Sequence, residues 1–244
     1  MYLLSTPKSN PKVVKNIGQG VLTAPLHLAP YNLSGFNVCP MATEGCIKSC
    51  LNTAGRGGIF KKGEDTNVIQ QARIRKTKMF FNDRHTFLSL LVQDIEKLER
   101  KAKKESLSCG VRLNATSDIA WEVIKVKHAG KTYNNLMELF PNVQFYDYTA
   151  ITKRAVLWAT NKFPSNYHLT FSAKESNQKD VKIVANHKGN IAVVFRTKDF
   201  PKYYMSLPVI NGDEHDYRPV DPKGCIVALK AKGKAKYDTS GFVR

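Results

Sequence analysis

Acidic residues are in short supply. The 244-residue chain carries 20 Asp and Glu against 38 Lys and Arg, a net charge of +18. An excess of that size calls for a polyanionic partner, nucleic acid first, or serves solubility on a basic surface. No apolar run approaches the length of a membrane span, so no transmembrane helix is expected. The first residues, Met1-Tyr2-Leu3-Leu4-Ser5-Thr6-Pro7-Lys8, lack the charged start and apolar stretch of a secretory signal. A cytoplasmic, reducing location is therefore expected. Cysteine is sparse and odd in number, at five, which argues against a disulfide framework. The glycine loop over residues 52–58 lacks the Gly-Lys-Ser/Thr ending of a Walker A cradle. The hydrophobic share, 42%, supplies a normal core for one large domain.

Three of the five cysteines stand together, in Cys39-Pro-Met-Ala-Thr-Glu-Gly-Cys46-Ile-Lys-Ser-Cys50. Thiols this close can fold onto one metal ion or one cluster. Structural zinc wants four ligands, which leaves a place for His85, another histidine or a water. An iron–sulfur cluster held by the same three thiolates would keep one iron open for a substrate or cofactor. Zn2+ and a [4Fe-4S] cluster with S-adenosylmethionine are both kept as expectations. Directly behind lies Asn52-Thr53-Ala54-Gly55-Arg56-Gly57-Gly58. Its glycines let backbone N–H groups face an anion that Arg56 could grip in bidentate fashion. The alternative is a plain turn into the next helix.

Hydrophobic periodicity gives the organisation. Residues 1–20, polar and rich in Lys and Pro, are expected as an extended basic arm ahead of a single domain over 21–244. Residues 64–82 and 84–104 read as helices, the second from Phe87, Leu88, Leu91, Ile95 and Leu98. Strands are expected at 110–115, 143–149, 168–172, 191–196 and 225–229, with short helices at 136–140 and 152–161 between them. Polar residues gather after each strand: Ser117 and Asp118, Asp147 and Thr149, Lys174 and Glu175, Arg196, and Lys230. The alternation predicts parallel β/α units, and so an α/β fold built as a compact or partial TIM-like barrel. Its site would form at the C-terminal ends of the strands.

Asp118 and Asp147 are the candidate catalytic carboxylates, one as nucleophile on a sugar carbon and the other moving protons. Asp118 could equally cap a helix. Tyr146 and Tyr148 could stack on a flipped base. Alternation along a strand puts the two tyrosines on one face and Asp147 on the other, so stacking beside Asp147 would need a bend. Asn52, Arg56, Asn114, Ser117, Lys174 and Arg196 complete the expected substrate contacts. Arg73, Arg75, Lys76, Lys230, Lys232 and Lys234 are the expected nucleic-acid contacts. The loop Asn211-Gly212-Asp213-Glu214-His215-Asp216-Tyr217-Arg218 reads as a polar turn that could also close over a site.

Three segments carry a resemblance. They are residues 39–57, Arg112-Leu113-Asn114-Ala115-Thr116-Ser117-Asp118, and residues 221–235 from Asp221-Pro222-Lys223-Gly224-Cys225 onward. Together they resemble a family of bacteriophage proteins, and the likeness covers most of the chain. Phage DNA-modifying enzymes similar to queuine tRNA-ribosyltransferases exchange guanine in DNA for a 7-deazaguanine. That link implies a β/α-barrel, a zinc site of three cysteines and a histidine, catalytic aspartates, DNA as partner and the host cytoplasm as location. The cysteine spacing differs from that of the tRNA enzymes, so Asp118 and Asp147 are assigned from their chemistry. The chain is also similar to radical S-adenosylmethionine enzymes, which place three cysteines after the first strand of a partial barrel at a different spacing. A third expectation is a non-enzymatic nucleic-acid-binding protein with a zinc-stabilised loop.

Overall fold

A computed structural model describes residues 2–7, 10–61 and 63–244. Of the expected arm, Met1, Lys8 and Ser9 lie outside the described residues. In chain order the strands are β1 (Val21–Pro25), β2 (Ser108–Arg112), β3 (Val126–His128), β4 (Lys131–Tyr133), β5 (Val143–Thr149), β6 (Tyr167–Ser172), β7 (Ile191–Phe195), β8 (Tyr203–Tyr204), β9 (Leu207–Asn211) and β10 (Ile226–Lys230). The helices are α1 (Pro11–Val14), α2 (Glu44–Lys48), α3 (Val68–Asn82), α4 (Arg84–Lys104), α5 (Leu136–Leu139), α6 (Thr152–Ala159) and α7 (Gln178–Asn186).

Eight strands form one sheet in the order β1-β2-β5-β6-β7-β10-β9-β8, and β3 and β4 pair as a separate hairpin. Every pairing from β1 through to β9 is parallel, and only β8 runs antiparallel to its neighbour. From β1 through β2, β5, β6 and β7 each new strand of the sheet is added on the same side of the last, as in a singly wound β/α series, and β10 then returns to lie between β7 and β9. Right-handed crossovers in such a series carry all connecting helices to one face. The core confirms it. Leu22, Val111, Phe145 and Leu169 pack with Phe87, Leu91 and Ile95 of α4. Phe171, Ile191, Val193 and Ile226 pack with Ala155 of α6 and with Val181 and Val184 of α7. Among the described residues no pairing joins β1 to β8, so the sheet is open. The closed barrel allowed by the sequence is therefore not formed. The chain turns back through the β8–β9 hairpin where two further β/α units would be needed.

Local chemistry sets the element ends. Asp83 accepts from the Thr86 N–H at the start of α4, and Lys101, Lys103 and Lys104 occupy its last turn, where the helix dipole favours cations. Each fully buried Phe or Leu on this helix contributes about 1.5–3 kcal/mol. α3 begins at Val68 rather than at residue 64, because the Asn67 side chain accepts from the N–H groups of Ile69 and Gln70. β2 stops at Arg112, short of the expected residue 115. There the Asn114 N–H leaves the ladder and donates to Asp147 Oδ1 at 2.6 Å.

The expected extended arm is instead a packed cover. Pro11–Val14 is helical and Lys15–Gln19 a 3-10 turn. Leu3, Val13 and Asn16 are buried. The N–H groups of Leu3 and Leu4 both donate to Asp94 of α4, and Asn16 reaches Thr23 and Tyr146. These partners lie far along the chain and leave no trace in the local composition.

Candidate functional site

The cysteine loop follows β1 and rests on the segments that leave the C-terminal ends of β2 and β6. Thr43 opens α2, accepting from the Cys46 N–H at 3.4 Å. Glu175, beyond β6, accepts from the Gly45 N–H and from the Thr43 hydroxyl, each at 2.9 Å. Buried Lys174 donates from Nζ to the Met41 carbonyl. Beyond β2, the Asp118 N–H donates to Val38 O at 2.8 Å, and the Cys39 thiol lies 3.8 Å from Thr116 O. The C-terminal segment presses from the far side. Arg244 donates to Lys174 O at 3.0 Å, and a Cβ on Gly45 would meet Ser240 Oγ at 2.2 Å.

Burial pushes the Cys39 thiol up to about 12 and that of Cys50 up to about 11, and it raises Cys46 as well. The three lie within each other's electrostatic reach, Cys39 with Cys50 and Cys46, and Cys50 with Cys46. Lys174 favours the Cys46 thiolate and Arg73 that of Cys50. Among the described residues no three His, Cys, Asp or Glu groups stand together closely enough to hold a metal as they are. The donor chemistry nonetheless suits one. Three soft thiols on one loop are held neutral by burial, and a cation would reverse that cost. His85 sits exposed on the first turn of α4 and is not grouped with the cysteines.

A buried ionic network underlies the loop. Arg154 donates from Nη1 to Asp118 Oδ1 at 2.8 Å, and from Nε and Nη2 to the two oxygens of Glu122 at 2.7 and 2.8 Å. Asp118 also accepts from the Ala150 N–H at 2.8 Å. Burial pushes its carboxyl up, against the pull of Arg154. Asp118 lies close enough to Cys39 and Cys46 to influence both thiols. Asp147 sits deeper, with no exposed surface. It accepts from the Asn114 N–H and, at 2.7 Å, from the Tyr167 hydroxyl, and burial pushes it up to about 7. Its partners are thus Asn114 and Tyr167 rather than the thiols. Asn114 is spent internally, its Oδ1 accepting from Ser117, Ile119 and Trp121.

Tyr146 and Tyr148 lie on the opposite face from Asp147, without a bend. Tyr146 accepts from Asn16 at 3.0 Å and donates to Asp216 at 3.2 Å. Arg112 grips Asp216 through both carboxylate oxygens, at 3.0 and 3.1 Å, and lies 4.8 Å from the Tyr148 ring centroid. Arg218, also buried on this side, stands 3.2 Å from Asp221. A stack of both tyrosines on a base beside Asp147 is not assembled. The loop over residues 211–218, read as a polar turn, instead supplies Asp216 and Arg218 to the interior.

The glycine loop is closely fitted. A Cβ on Gly57 would come within 2.6 Å of Asn52 O, and one on Gly58 within 2.0 Å of Thr53 O. Asn67 and Gln70 of the α3 start both donate to the Gly57 carbonyl. Asn52 is buried against Arg73 at 2.5 Å, whereas Arg56 is exposed. Arg73 and Lys76, expected on nucleic acid, turn inward, since α3 packs that face on the body; Lys76 donates to Leu3 O. Arg196 is tied to the carbonyls of Lys236 and Asp238. Arg75, Lys232 and Lys234 are exposed, and Lys230 is half-buried. Arg154, Arg112 and Asp216 enter through ion pairs between residues far apart in the chain. Only the spacing of charge among apolar residues could have marked them.

Together these features define an α/β protein with a singly wound, mostly parallel sheet and a thiol loop at its strand ends. The chain belongs to the Gene product 88 family of bacteriophage proteins, which it matches over residues 3–244. No curated protein and no solved structure matches it. No helix among the described residues is long and apolar enough to cross a membrane.

Proposed function

We propose that this protein is an iron–sulfur enzyme acting on nucleic acid or its nucleotides. In this reading β1, β2, β5, β6, β7 and β10 form the open arc of a partial barrel, and Cys39, Cys46 and Cys50 hold a [4Fe-4S] cluster. One observation carries the reading. The three-thiol loop follows the first strand of the parallel sheet and rests on segments leaving the C-terminal ends of β2 and β6. A cluster with one iron open supplies one-electron chemistry on bound S-adenosylmethionine. The chain's own groups set the stage for it. Glu175 and Lys174 fix α2, and Arg73 and Lys174 offset thiolate charge. Arg154 neutralises Asp118 beside the loop. The basic surface supplies the attraction for a polyanion.

The second reading is guanine exchange in DNA for a 7-deazaguanine, with structural zinc on the same cysteines. It draws on Asp118, which lies beside the thiols and would act as the carboxylate nucleophile once freed from Arg154. Asp147, fully buried, would then act only by bracing Asn114. Anaerobic purification with iron, sulfide and zinc assays separates the two. Near-stoichiometric iron and sulfide, lost in Cys46→Ser, is the expected result. A colourless zinc protein that exchanges bases in DNA, and stops doing so in Asp118→Asn, would replace the first reading with the second. Zinc with salt-sensitive DNA binding and no modified nucleoside would leave a non-enzymatic binding protein.

A further inference from the structure

Two open cavities lie on either side of one stretch of chain. The first, of about 420 Å³, lies between α2 and the C-terminal segment; Lys48, Ser49, Lys234 and Tyr237 line it together with the carboxylates of Glu44, which pairs with Lys48, and Asp238, which bonds Ser240 and the Val243 N–H. The second, of about 380 Å³, lies beyond the ends of β7, β9 and β10; Lys15, Lys198, Lys230 and Lys232 line it with Asp213, which pairs with Lys232, and Glu214. Lys232 belongs to one and Lys234 to the other. Their Cα atoms are two residues apart, at most about 7 Å.

The first cavity has the features of a built site. Ser49 is 6% exposed, yet its hydroxyl has no partner. Its neighbour in sequence is Cys50. Tyr237 is 84% exposed, the most open of the large apolar side chains described. A fully solvated aromatic ring offers a flat face at little ordering cost. Lys234 and Lys198 have no carboxylate partner among the described residues, while Lys232 is held at 2.7 Å by Asp213. Free ammonium groups spaced along a groove, with a bare aromatic ring among them, are the elements that bind an unpaired strand: charge tracks the backbone and the ring stacks on a base.

We propose that a single nucleic-acid strand crosses the molecule along residues 230–237. Its phosphates would lie on Lys198, Lys230 and Lys234, and one base would stack on Tyr237. The Ser49 hydroxyl would be ready to bond the next nucleotide at the edge of the cysteine loop. This rests on the nucleic-acid part of the proposed function and adds to it the form of the substrate, an unpaired strand, and its path to the thiols.

The test is fluorescence anisotropy of full-length protein with labelled single-stranded DNA and RNA in separate arms, and with duplex DNA as comparison. Tyr237→Ala is expected to weaken single-strand binding roughly tenfold, the scale of one lost base stack, and Tyr237→Phe to restore it. The loss on duplex should be smaller, since its bases are already stacked. Lys198→Gln with Lys234→Gln should weaken binding more than the equal charge change Lys103→Gln with Lys104→Gln on exposed α4. Dependence on Tyr237 in either arm supports the inference and names the sugar. Wild-type affinity of Tyr237→Ala in both arms, or equal losses from the two lysine pairs, overturns it. Iron and sulfide content of the same preparations keeps the two proposals apart. A cluster-bearing protein indifferent to Tyr237 loses the strand path alone. A zinc protein that needs Tyr237 keeps the path and loses the cluster.

Discussion

Asp147 allows a sharp test of the buried network. Its carboxyl has no exposed surface and meets only Asn114 and Tyr167. Burial raises its pKa from 3.8 to about 7. At roughly 1.4 kcal/mol for each pH unit, that rise corresponds to ~4 kcal/mol. The folded protein binds this proton more tightly than the unfolded chain does. Stability from this group is therefore complete below about pH 4, falls as pH climbs through the folded value near 7, and is flat above it. Asp147→Asn removes the titration and keeps an acceptor for the Asn114 N–H. The Tyr167 hydroxyl, which donates to Asp147, would have to turn and accept, at a cost independent of pH. Urea unfolding of both proteins at pH 5 and pH 8 gives the comparison. The variant should gain on the wild type between the two by about 2–3 kcal/mol, the share of the ~4 that falls between pH 5 and the folded value, since the other titrating groups cancel in the difference. A gap of equal size at both pH values would refute a carboxyl made neutral by burial.

Arg154→Met leaves Asp118 and Glu122 buried without their shared cation, and should cost about 3–5 kcal/mol in urea unfolding at pH 7; a loss under 1 kcal/mol would deny the network its role. Gly58→Ala drives a Cβ to within 2.0 Å of the Thr53 carbonyl, so the loop behind the cysteines must shift. If the cysteines carry the proposed cluster, iron content per chain should fall while the unfolding temperature of the sheet changes by only a few degrees. Glu175→Gln keeps an acceptor for one of its two α2 contacts and loses the charge. It should weaken metal retention against a chelator several-fold, and unchanged retention would show that Glu175 does not secure α2.

The legible parts of the fold were those with local causes. Helix α4 runs over residues 84–104 as periodicity required, because Phe87, Leu91, Ile95 and Leu98 all reach the core. Strand β5 matches residues 143–149, its alternation dividing Asp147 from the two tyrosines as expected. Helix α7 has a weak signature, since only Val181 and Val184 of its nine residues are buried. The five-residue α2 depends on Glu175, 130 residues away from Gly45. The first twenty residues looked like an arm because Asp94 and Tyr146, which hold them, lie far downstream. Likewise, alternation separated Asp147 from Tyr146 but could not say which face the helices would cover. That choice put Asp147 in the core and the tyrosines among Arg112, Asp216 and Asn16.

The seating of the cysteine loop also has a consequence for the order in which the protein is made. Cys39, Cys46 and Cys50 leave the ribosome early, with β1. Their anchors at Thr116 and Asp118 follow only after α4, those at Lys174 and Glu175 later still, and Ser240 and Arg244 far behind. Contacts of such long sequence separation form late. During synthesis the three thiols are therefore solvent-open and close to their ordinary ionisation. Residues 238–244, which come to rest beside Val194 and Lys174, are the last of these anchors to arrive. The loop is thus made first and fastened last, and its seating is complete only when the end of the described chain is in place.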